Sequence, residues 1–303
     1  MIDFQPLELG QKPLFDSYLQ NAGERGCEYS FVNLYLWGRQ KVAVVHEHLV
    51  FFSQFNRKSV YLFPVGTGDV KPVLDAIVED ARQRGIPCRL VGLTQEDCAT
   101  LEQLFPGKLR YHFDRDSFDY VYDIHDLADL KGRKFQRKRN HLNRFREGNP
   151  GYILEQITDE NLAEVEALVS RWYDLRQQEN PHGDYHMERA ALKKALQQRN
   201  ELGMEGLLLR TGEGVVAMTM GSRLNENTFD IHFEKALDIA DGAYAAINNG
   251  FARYLREKYP EVAFLNREDD MGLEGLRKAK LSYNPHHMVE KSWACLLEDG
   301  YDY

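Results

Sequence analysis

The second half of the chain, from about residue 151, alternates apolar runs of strand length with longer amphipathic runs of helix length. Asp159 is placed to cap a long helix, because the apolar residues behind it recur at the 3.6-residue spacing of a helix face. The turn Thr211-Gly-Glu-Gly214 separates two apolar runs and is typical of a β-hairpin. In chain order we predict a strand at 152–156, helices from 159 and from about 187, strands at 204–209, 215–221 and 228–233, a helix at 243–258, a strand at 262–265, a helix at 273–281 and a strand at 288–296. This order predicts an α/β (α+β) domain built on a mixed central sheet.

The first half has a similar order, which predicts a second domain of the same kind. A short His-Glu-His turn joins two apolar runs and predicts a hairpin, and Thr94 with Asp97 three residues later predicts a capped helix start. Because 303 residues suit two cores of roughly 150 residues each, we expect two tandem domains. The predicted boundaries are 1–122 for the first domain, 123–150 for a linker that contains a basic helix, and 151–303 for the second domain.

That basic helix is the most unusual segment of the sequence. Residues 131–147 carry eight Lys and Arg side chains and one Glu, although the whole chain has a net charge of -9. As a helix over about 133–147, the segment has a narrow apolar stripe of Phe135 and Leu142 and places Phe145 inside the basic arc. The candidate substrate-binding residues are Lys134, Arg137, Lys138, His141 and Arg144 on that arc, together with Arg133.

Two interpretations of this basic arc remain open. A solvated helix between domains, balanced by the acidic remainder of the chain, is the simpler one. The other is a binding surface for a polyanion such as tRNA, a phosphate-bearing coenzyme or an anionic lipid headgroup. Since almost no acidic residue is interleaved, we favour the polyanion.

A second candidate anion site lies where the third hairpin strand leads into the helix at 243–258. Helix N-termini bind phosphates through free N–H groups and the helix dipole, usually with a glycine-rich turn, and at this junction only Gly242 supplies a glycine. Asp238 and Asp241 would face such a phosphate and oppose it, although Asp241 also suits a helix N-cap. The segment therefore predicts weak binding of an ordinary acyl-coenzyme A.

Acidic residues follow the next strand at its carboxyl end, where open α/β sheets place their ligands. Glu268 and Asp269 are candidate catalytic residues there, as general bases or as partners of an ammonium group. The alternative is that the run from Glu268 to Asp270 caps the following helix and supplies its first-turn charge.

Alternation along the strand 228–233 and its continuation predicts that three ionisable side chains share one face. Asp230, His232 and Glu234 alternate with aromatic and aliphatic residues, so they either line a cleft or lie on a solvated outer face. We take His232 and Glu234 as candidate catalytic residues and Asp230 as a candidate substrate contact. Lys280, with its neighbours, adds a smaller basic patch that is also typical of a helix C-terminus.

The composition argues against a membrane-spanning, a secreted and a metal-binding protein. No run approaches the roughly 20 apolar residues of a membrane span, and the acidic start lacks the basic region of a signal peptide. We therefore expect a cytoplasmic protein without a transmembrane segment. The histidines and cysteines lack metal-site spacing, so we predict no metal.

Four segments resemble a known family. They read Leu130-Lys-Gly-Arg-Lys134, Lys138-Arg-Asn-His-Leu-Asn-Arg-Phe145, Tyr244-Ala-Ala-Ile-Asn-Asn249, and the run from Asn266-Arg-Glu-Asp-Asp-Met-Gly272 to Pro285. They look like the bacterial DUF2156 family, which is related to the soluble C-terminal domain of phosphatidylglycerol lysyltransferase. The resemblance implies tandem GNAT-like domains similar to the Fem aminoacyltransferases, and it adds Tyr244, Asn248 and Asn266 as candidate substrate contacts.

Relatives in that wider group with known activity move an aminoacyl residue from aminoacyl-tRNA to a lipid or peptidoglycan-precursor acceptor. The leading hypothesis is therefore an aminoacyltransferase with tRNA at the basic helix and a small-molecule, lipid-headgroup or peptide acceptor. This reaction needs no cofactor, because the ester is already activated. The alternatives are an acyl-coenzyme A-dependent N-acyltransferase and a non-catalytic nucleic-acid-binding module.

Overall fold

The computed structural model describes residues 1–19, 22–37, 40–55 and 58–297. They form two compact units. Unit 1 contains Met1–Asp119, Asp269–Gly272 and the segment that begins at Val289, and unit 2 contains Tyr120–Glu268 and Leu273–Met288. These units differ from the predicted ranges 1–122, 123–150 and 151–303, because the chain returns to unit 1 twice after residue 268.

Unit 1 is built on a mixed sheet with the strand order β1-β2-β3-β4-β6-β15-β7, and β5 also pairs with β3. The helices α3 and α4 pack on this sheet through a core that includes Val73, Ile77 and Leu101. The elements of unit 1 are β1 Gln5–Pro6, α1 Lys12–Leu19, α2 Phe31–Trp37, β2 Gln40–Val45, β3 His48–Phe55, β4 Lys58–Leu62, β5 Val65–Gly66, α3 Lys71–Arg84, β6 Arg89–Leu93, α4 Gln95–Leu104, β7 Leu109–Phe113 and β15 Ser292–Leu296.

Two local predictions in unit 1 are confirmed. The β2–β3 hairpin turns at His46 and Glu47, both with positive φ (46° and 58°), as a two-residue turn between right-twisted strands requires. Thr94 and Asp97 form the predicted capping box, in which each side chain accepts a hydrogen bond from the other residue's backbone N–H.

Unit 2 is built on a second mixed sheet, with the order β14-β8-β13-β12-β11-β10-β9. The α/β class is confirmed in both units, since β4 pairs parallel to β6 and β12 parallel to β13 beside antiparallel neighbours. The elements of unit 2 are β8 Asp119–Asp123, α5 Ile124–Asp129, α6 Gln136–Gly148, β9 Ile153–Gln156, α7 Leu162–Glu179, α8 His186–Gln198, β10 Glu205–Thr211, β11 Gly214–Arg223, β12 Thr228–Ala236, α9 Ala243–Lys258, β13 Phe264–Asn266, α10 Glu274–Leu281 and β14 His287–Val289.

The predicted last strand at 288–296 is two strands. His287–Val289 lies at the edge of the unit 2 sheet, next to β8. Ser292–Leu296 lies between β6 and β7 in the sheet of unit 1 and pairs antiparallel with both. A short apolar run carries no information about which sheet completes its hydrogen bonds, and the prediction was wrong on this point.

The basic helix α6 is part of unit 2 rather than a solvated linker. It follows a 3-10 turn at Arg133–Phe135 and packs against α9. Phe135, Leu142 and Phe145 are buried in the core of the unit. Phe145 is therefore a core residue, and its predicted place inside the basic arc is wrong.

In the part of the chain that the structure describes, every helix is too short or too polar to cross a bilayer.

Candidate functional site

The polar face predicted along β12 is divided by a β-bulge. The pairing of β11 with β12 shifts register between Met220 and Gly221, so β12 carries one extra residue at His232. A bulge reverses the alternation of side chains beyond it. Glu234 consequently contacts Asn248 of α9, while Asp230 and His232 approach Glu268. The prediction that all three side chains share one face is wrong, and they belong to two clusters.

Glu234 forms a buried ion pair with Arg267, the residue that follows β13. Arg267 Nη2 donates to Glu234 Oε1 at 2.9 Å, and Asn248 Nδ2 donates to Glu234 Oε2 at 3.1 Å. The side chains of Glu234 and Arg267 are only 10% and 13% exposed. The Arg267 guanidinium also lies over the rings of Tyr122 and Tyr283, 5.6 Å and 4.9 Å from their centroids. A buried charge pair of this kind requires both members, because either charge alone would be desolvated without compensation.

Lys138 of the basic helix reaches the same cluster. Its Nζ atom lies 3.6 Å from the centroid of the Tyr283 ring, over which the Arg267 guanidinium also lies. Burial, together with the positive charge of Arg267, lowers the pKa of Lys138 to about 8, whereas Glu234 opposes the shift. A lysine with this pKa is partly neutral near physiological pH and can accept a proton.

A cleft of about 420 Å³ opens beside this cluster. It is lined by Lys138 and His141 from α6, by Tyr283, and by the loop and first turn of α9 from Leu237 to Ala245. Gly242, at the N-cap of α9, has φ +83°, and a Cβ atom there would lie 2.2 Å from the backbone oxygen of His141. Glycine at this position lets α6 approach the start of α9, so the basic helix forms one wall of the cleft.

The two aspartates next to the cleft have basic partners. Asp241 lies 3.1 Å from Arg144, and Asp238 lies 3.2 Å from Arg176. Arg144 and both aspartates are exposed and Arg176 is partly exposed, so these pairs are weak and screened by salt. Asp241 is not the N-cap of α9, because Gly242 occupies that position.

The remaining predicted basic residues form an exposed surface on α6 and the turn before it. Arg133, Lys134, Arg137 and Arg144 are exposed, and Lys134 pairs with Asp126 at 2.6 Å. A shallow groove of about 610 Å³ runs along α6 between Arg137 and Glu147. His141 lines both this groove and the cleft. We call this set of residues, Arg133, Lys134, Arg137, Lys138, His141 and Arg144, the basic surface.

The second cluster is centred on His232. Ser222 Oγ lies 2.8 Å from His232 Nε2, and His232 Nδ1 lies 3.2 Å from Glu268 Oε1 and 3.6 Å from Asp230 Oδ2. The side chains of Asp230 and His232 are buried, and that of Glu268 is 23% exposed. Asp230, His232 and Glu268 are close enough to hold one metal ion. In unit 1, Cys27, Glu28 and Asp119 are similarly close, but Lys291 Nζ contacts both carboxylates there, at 2.9 Å and 2.7 Å.

Two of the predicted substrate-binding residues, Asn266 and Lys280, fix the backbone at the end of β13. Asn266 Oδ1 accepts a hydrogen bond from the backbone N–H of Glu268 at 2.7 Å, and Glu268 has φ +57°. Lys280 is buried and donates to the backbone oxygens of Arg267 at 2.5 Å and Glu268 at 3.1 Å. Lys280 and Asn266 therefore orient Arg267 and Glu268. Their predicted role as substrate contacts stays a prediction.

The acidic run does not cap the helix that follows it. The helix α10 begins at Glu274 with the apolar Leu273 as its N-cap. Asp269 belongs to unit 1, where its Oδ1 accepts from the backbone N–H of Met271 at 3.2 Å, and Asp270 accepts from Gly272 at 3.0 Å. The alternative of a helix cap is wrong, and the catalytic role of Asp269 stays a prediction.

Tyr244 lies on the first turn of α9, where Trp172 Nε1 donates to its hydroxyl oxygen at 3.2 Å. Burial is the main cause of the raised pKa of Tyr244. The hydroxyl therefore stays protonated near neutral pH and can serve as a hydrogen-bond donor in the cleft.

Arg267, Tyr283 and Ser222 are members of these clusters that were not predicted from the sequence. Arg267 had a signal, because it is the one cation in the run Asn266-Arg-Glu-Asp-Asp270 after a strand. Tyr283 lies in the segment that carries the family resemblance, but nothing in its spacing indicates a pocket. Ser222 ends an ordinary apolar strand, and no sequence pattern distinguishes it.

We expect Lys138→Met to stabilise the protein at pH 7. Below pH 8 the folded wild type buries an ammonium group in unit 2. Its free energy of unfolding is therefore reduced by the full amount that corresponds to the lowered pKa of Lys138. Between pH 8 and 10.5 the unfolded chain binds more protons than the folded chain, so the stability of the wild type should rise towards that of the variant. Thermal unfolding midpoints of both proteins at pH 7 and pH 10 test this. A variant that is less stable at pH 7 would show that the Tyr283 contact outweighs desolvation.

A family model described as phosphatidylglycerol lysyltransferase, C-terminal, matches residues 20–295. A solved structure of a conserved protein of unknown function from Bacteroides thetaiotaomicron is 39% identical, with a TM-score of 0.92 over 98% of this chain and all of that chain. An uncharacterized protein of Mycoplasmoides gallisepticum is 26% identical over 178 residues, and the match spans 58% of this chain and about half, 55%, of that relative's length.

More distant structures share the fold. L-PGS from Bacillus licheniformis is 17% identical, with a TM-score of 0.69 over 96% of this chain and 93% of that chain. FemX is 9% identical with a TM-score of 0.61, covering 98% of both chains. A tandem GNAT protein from the clavulanic acid biosynthesis pathway is 12% identical with a TM-score of 0.52, covering both chains fully. The fold is therefore tandem GNAT-like, and the predicted resemblance is confirmed. With the family model matching most of its length, this chain belongs to the phosphatidylglycerol lysyltransferase C-terminal family of acyltransferases.

Proposed function

We propose that this protein is an aminoacyltransferase that takes an aminoacyl group from aminoacyl-tRNA and passes it to a small-molecule, lipid-headgroup or peptide acceptor. One observation carries the proposal. Lys138 and His141 belong to the basic surface and also line the cleft beside the Glu234–Arg267 pair. A polyanionic donor held along α6 would therefore bring its reactive end to buried, preorganised polar groups.

The chemistry of such a transfer suits these groups. The donor ester needs no further activation, so the protein must orient the acceptor and stabilise the negative charge that develops on the carbonyl oxygen. Arg267 offers fixed positive charge, and Lys138 can accept a proton from the acceptor's N–H or O–H and return it to the departing ribose oxygen. The family model supports acyl transfer, and the L-PGS and FemX structures support the fold that carries it.

The test is incubation of the wild type with pools of charged tRNA, with binding, deacylation and transfer measured separately. We expect salt-dependent binding, because neutralised phosphates release counterions. Charged tRNA that is neither bound nor deacylated would contradict the proposal. Binding without any turnover would favour the non-catalytic nucleic-acid-binding module.

Removing charge from the basic surface should weaken tRNA binding. In the variant Arg133→Gln, Arg137→Gln, Arg144→Gln we expect the slope of log affinity against log salt to fall by roughly 2 to 3 units, about 0.7–0.9 per lost phosphate contact. The matched control is Lys41→Gln, Lys58→Gln, Lys108→Gln, which removes the same charge from exposed positions in unit 1. Equal slopes for the two triple variants would place the tRNA elsewhere.

An acyl-coenzyme A donor is the second candidate, because the cleft lies at the N-terminus of the 16-residue helix α9 with Gly242 at its N-cap. Asp238 and Asp241 flank that position and oppose a pyrophosphate, even with their arginine partners. Titration calorimetry with acetyl-coenzyme A and longer acyl-coenzymes A separates the two donors. Tight binding of these compounds, with no binding of charged tRNA, would replace the first proposal with the second.

A further inference from the structure

Three side chains of unit 2 that the proposed function does not use converge on one point. Nδ1 of His232 lies 3.2 Å from Glu268 Oε1 and 3.6 Å from Asp230 Oδ2, and one ligand atom from each residue lies within 4.8 Å of the others. The side chains of Asp230 and His232 are buried, and that of Glu268 is 23% exposed. Other residues line the cleft at the start of α9, so this cluster is a separate position in unit 2.

The spacing of these atoms fits a metal ion better than a single hydrogen bond. In a tetrahedral zinc site with bonds of about 2.0–2.1 Å, neighbouring ligand atoms are about 3.3–3.4 Å apart. The two distances from His232 Nδ1 to the carboxylates lie on either side of that value. A proton on Nδ1 is donated along one direction, to the nearer carboxylate, whereas a metal ion between the three side chains binds both carboxylates.

Ser222 holds the imidazole in the orientation that a metal ligand needs. Its Oγ atom lies 2.8 Å from His232 Nε2, the ring nitrogen that does not approach the carboxylates. With the ring proton on Nε2 and donated to Ser222, Nδ1 directs its lone pair towards the two carboxylates and can bind a metal ion. Histidines that bind metals nearly always donate their second ring N–H to an outer partner of this kind. Ser222 is buried, so this contact is shielded from water.

A similar cluster in unit 1 already contains a cation. Cys27, Glu28 and Asp119 also offer three ligand atoms within 4.8 Å of one another. Lys291 Nζ, however, lies 2.9 Å from Glu28 Oε2 and 2.7 Å from Asp119 Oδ1, so an ammonium group supplies the positive charge there. A metal ion would have to displace this ammonium group. The unit 1 cluster therefore provides a control for metal binding in unit 2.

We propose that Asp230, His232 and Glu268 bind one divalent transition-metal ion, with Zn²⁺ as the best fit. One imidazole nitrogen and two carboxylate oxygens are ligands that Zn²⁺ accepts, and three protein ligands leave a coordination position for water or a substrate oxygen. Glu268, as the partly exposed ligand, marks the side from which the ion enters. The spacing of the ligands in the sequence conceals the site, because only the parallel pairing of β12 with β13 brings them together.

The test measures Zn²⁺ binding to the full-length protein, produced without a polyhistidine tag. After treatment with a chelator, the wild type is titrated with Zn²⁺ in competition with a chromophoric chelator. We expect one tightly bound equivalent, and a higher thermal unfolding midpoint when Zn²⁺ is present. Glu268→Gln should weaken the affinity by about 100-fold or more and abolish the rise in the midpoint. Ser222→Ala should weaken the affinity by about 10-fold, as the loss of an outer partner does.

Two control variants change other groups that can collect Zn²⁺. Glu28→Gln alters the cluster in unit 1, and His286→Gln, His287→Gln removes a pair of histidines whose Nδ1 atoms lie 2.9 Å apart. Both variants should keep the wild-type affinity. Replacement of Zn²⁺ by Co²⁺ gives a check that needs no variant, because a cysteine thiolate bound to Co²⁺ absorbs strongly in the near ultraviolet and the nitrogen and oxygen ligands of unit 2 do not.

A wild type that binds no Zn²⁺, or a folded Glu268→Gln variant that keeps the wild-type affinity, overturns the inference. So does an affinity that is lost in His286→Gln, His287→Gln, or thiolate absorption in the Co²⁺ protein, which would place the ion at Cys27. The assay contains no acyl donor or acceptor, so its outcome is independent of the proposed function. Charged tRNA that is neither bound nor deacylated would contradict that function and leave the metal site unaffected.

Discussion

Glu234→Ala should lower the free energy of unfolding of unit 2 by about 3–5 kcal/mol, the cost of breaking a buried ion pair from one side. Without this carboxylate, Arg267 stays buried, and both it and Lys138 contact the Tyr283 ring. The two cations would then repel each other without the negative charge that Glu234 supplies. Asn248 Nδ2 loses its acceptor in the same step. Native-state hydrogen exchange of the α9 backbone amides measures this free energy within unit 2, and so avoids treating the whole chain as one cooperative transition.

A surface pair provides the control for this variant. Glu79 pairs with Arg82 at 2.7 Å, and both side chains are largely exposed, so Glu79→Ala should leave the free energy of unfolding nearly unchanged. The double variant Glu234→Leu, Arg267→Met should recover most of the loss, because it removes both charges together. A Glu234→Ala loss no larger than that of Glu79→Ala would mean that water already solvates Arg267.

Much of the fold could be predicted because its signals are local. The hairpin at His46 and Glu47, the capping box at Thr94 and the helix before Lys258 each depend on residues within one turn or one helix. The assignment of Ser292–Leu296 to the unit 1 sheet could not be predicted, because strand pairing joins residues almost 200 positions apart in sequence. Hydrophobic alternation identifies a strand but not its neighbours.

The division of the polar face along β12 did have a signal in the sequence. Gly221 lies inside the predicted strand 215–221, and a glycine within a strand often marks a bulge. In the structure a Cβ atom at Gly221 would lie 2.3 Å from the backbone oxygen of Asp230, so only glycine fits opposite the bulge. That single extra residue separates Glu234 from His232 and creates two clusters where regular alternation predicts one.

The candidate site itself could be predicted only in part. The sequence predicted three members of the cluster as candidate site residues, namely Glu234, Lys138 and Asn248. The structure brings all three together. Arg267, which pairs with Glu234, could not be selected in this way, because its position depends on the parallel pairing of β12 with β13, which places the end of β13 beside β12. The depressed pKa of Lys138 likewise comes from burial and from Arg267, and neither can be read from the basic run in which this lysine occurs.

The burial of Phe145 decides whether the basic helix is a solvated linker or a packed part of unit 2. A helical wheel begun at Arg133 treats the whole segment as α-helix, but the first residues form a 3-10 turn with about 3.0 residues per turn, which changes the phase. Leu142 and Phe145 are three residues apart on α6, so they lie on the same face and enter the core together. The apolar stripe is therefore wide enough to attach the helix firmly to α9.

Phe145→Ala should accordingly destabilise unit 2 by about 3–5 kcal/mol, the usual cost of replacing a fully buried phenylalanine by alanine. The ring is buried, packs edge-on against Tyr152 at 5.2 Å, and lies next to Gly242 at the start of α9. Hydrogen exchange of the α6 and α9 amides measures the loss, and Phe113→Ala, at a residue that is 63% exposed in unit 1, is the control with an expected change below about 0.5 kcal/mol. Since α6 supplies Lys138 and His141 to the cleft, Phe145→Ala should also weaken the binding of charged tRNA. If α6 amides exchange freely in the variant while α9 stays protected, the basic helix is a separately unfolding element and the cleft forms only when it docks.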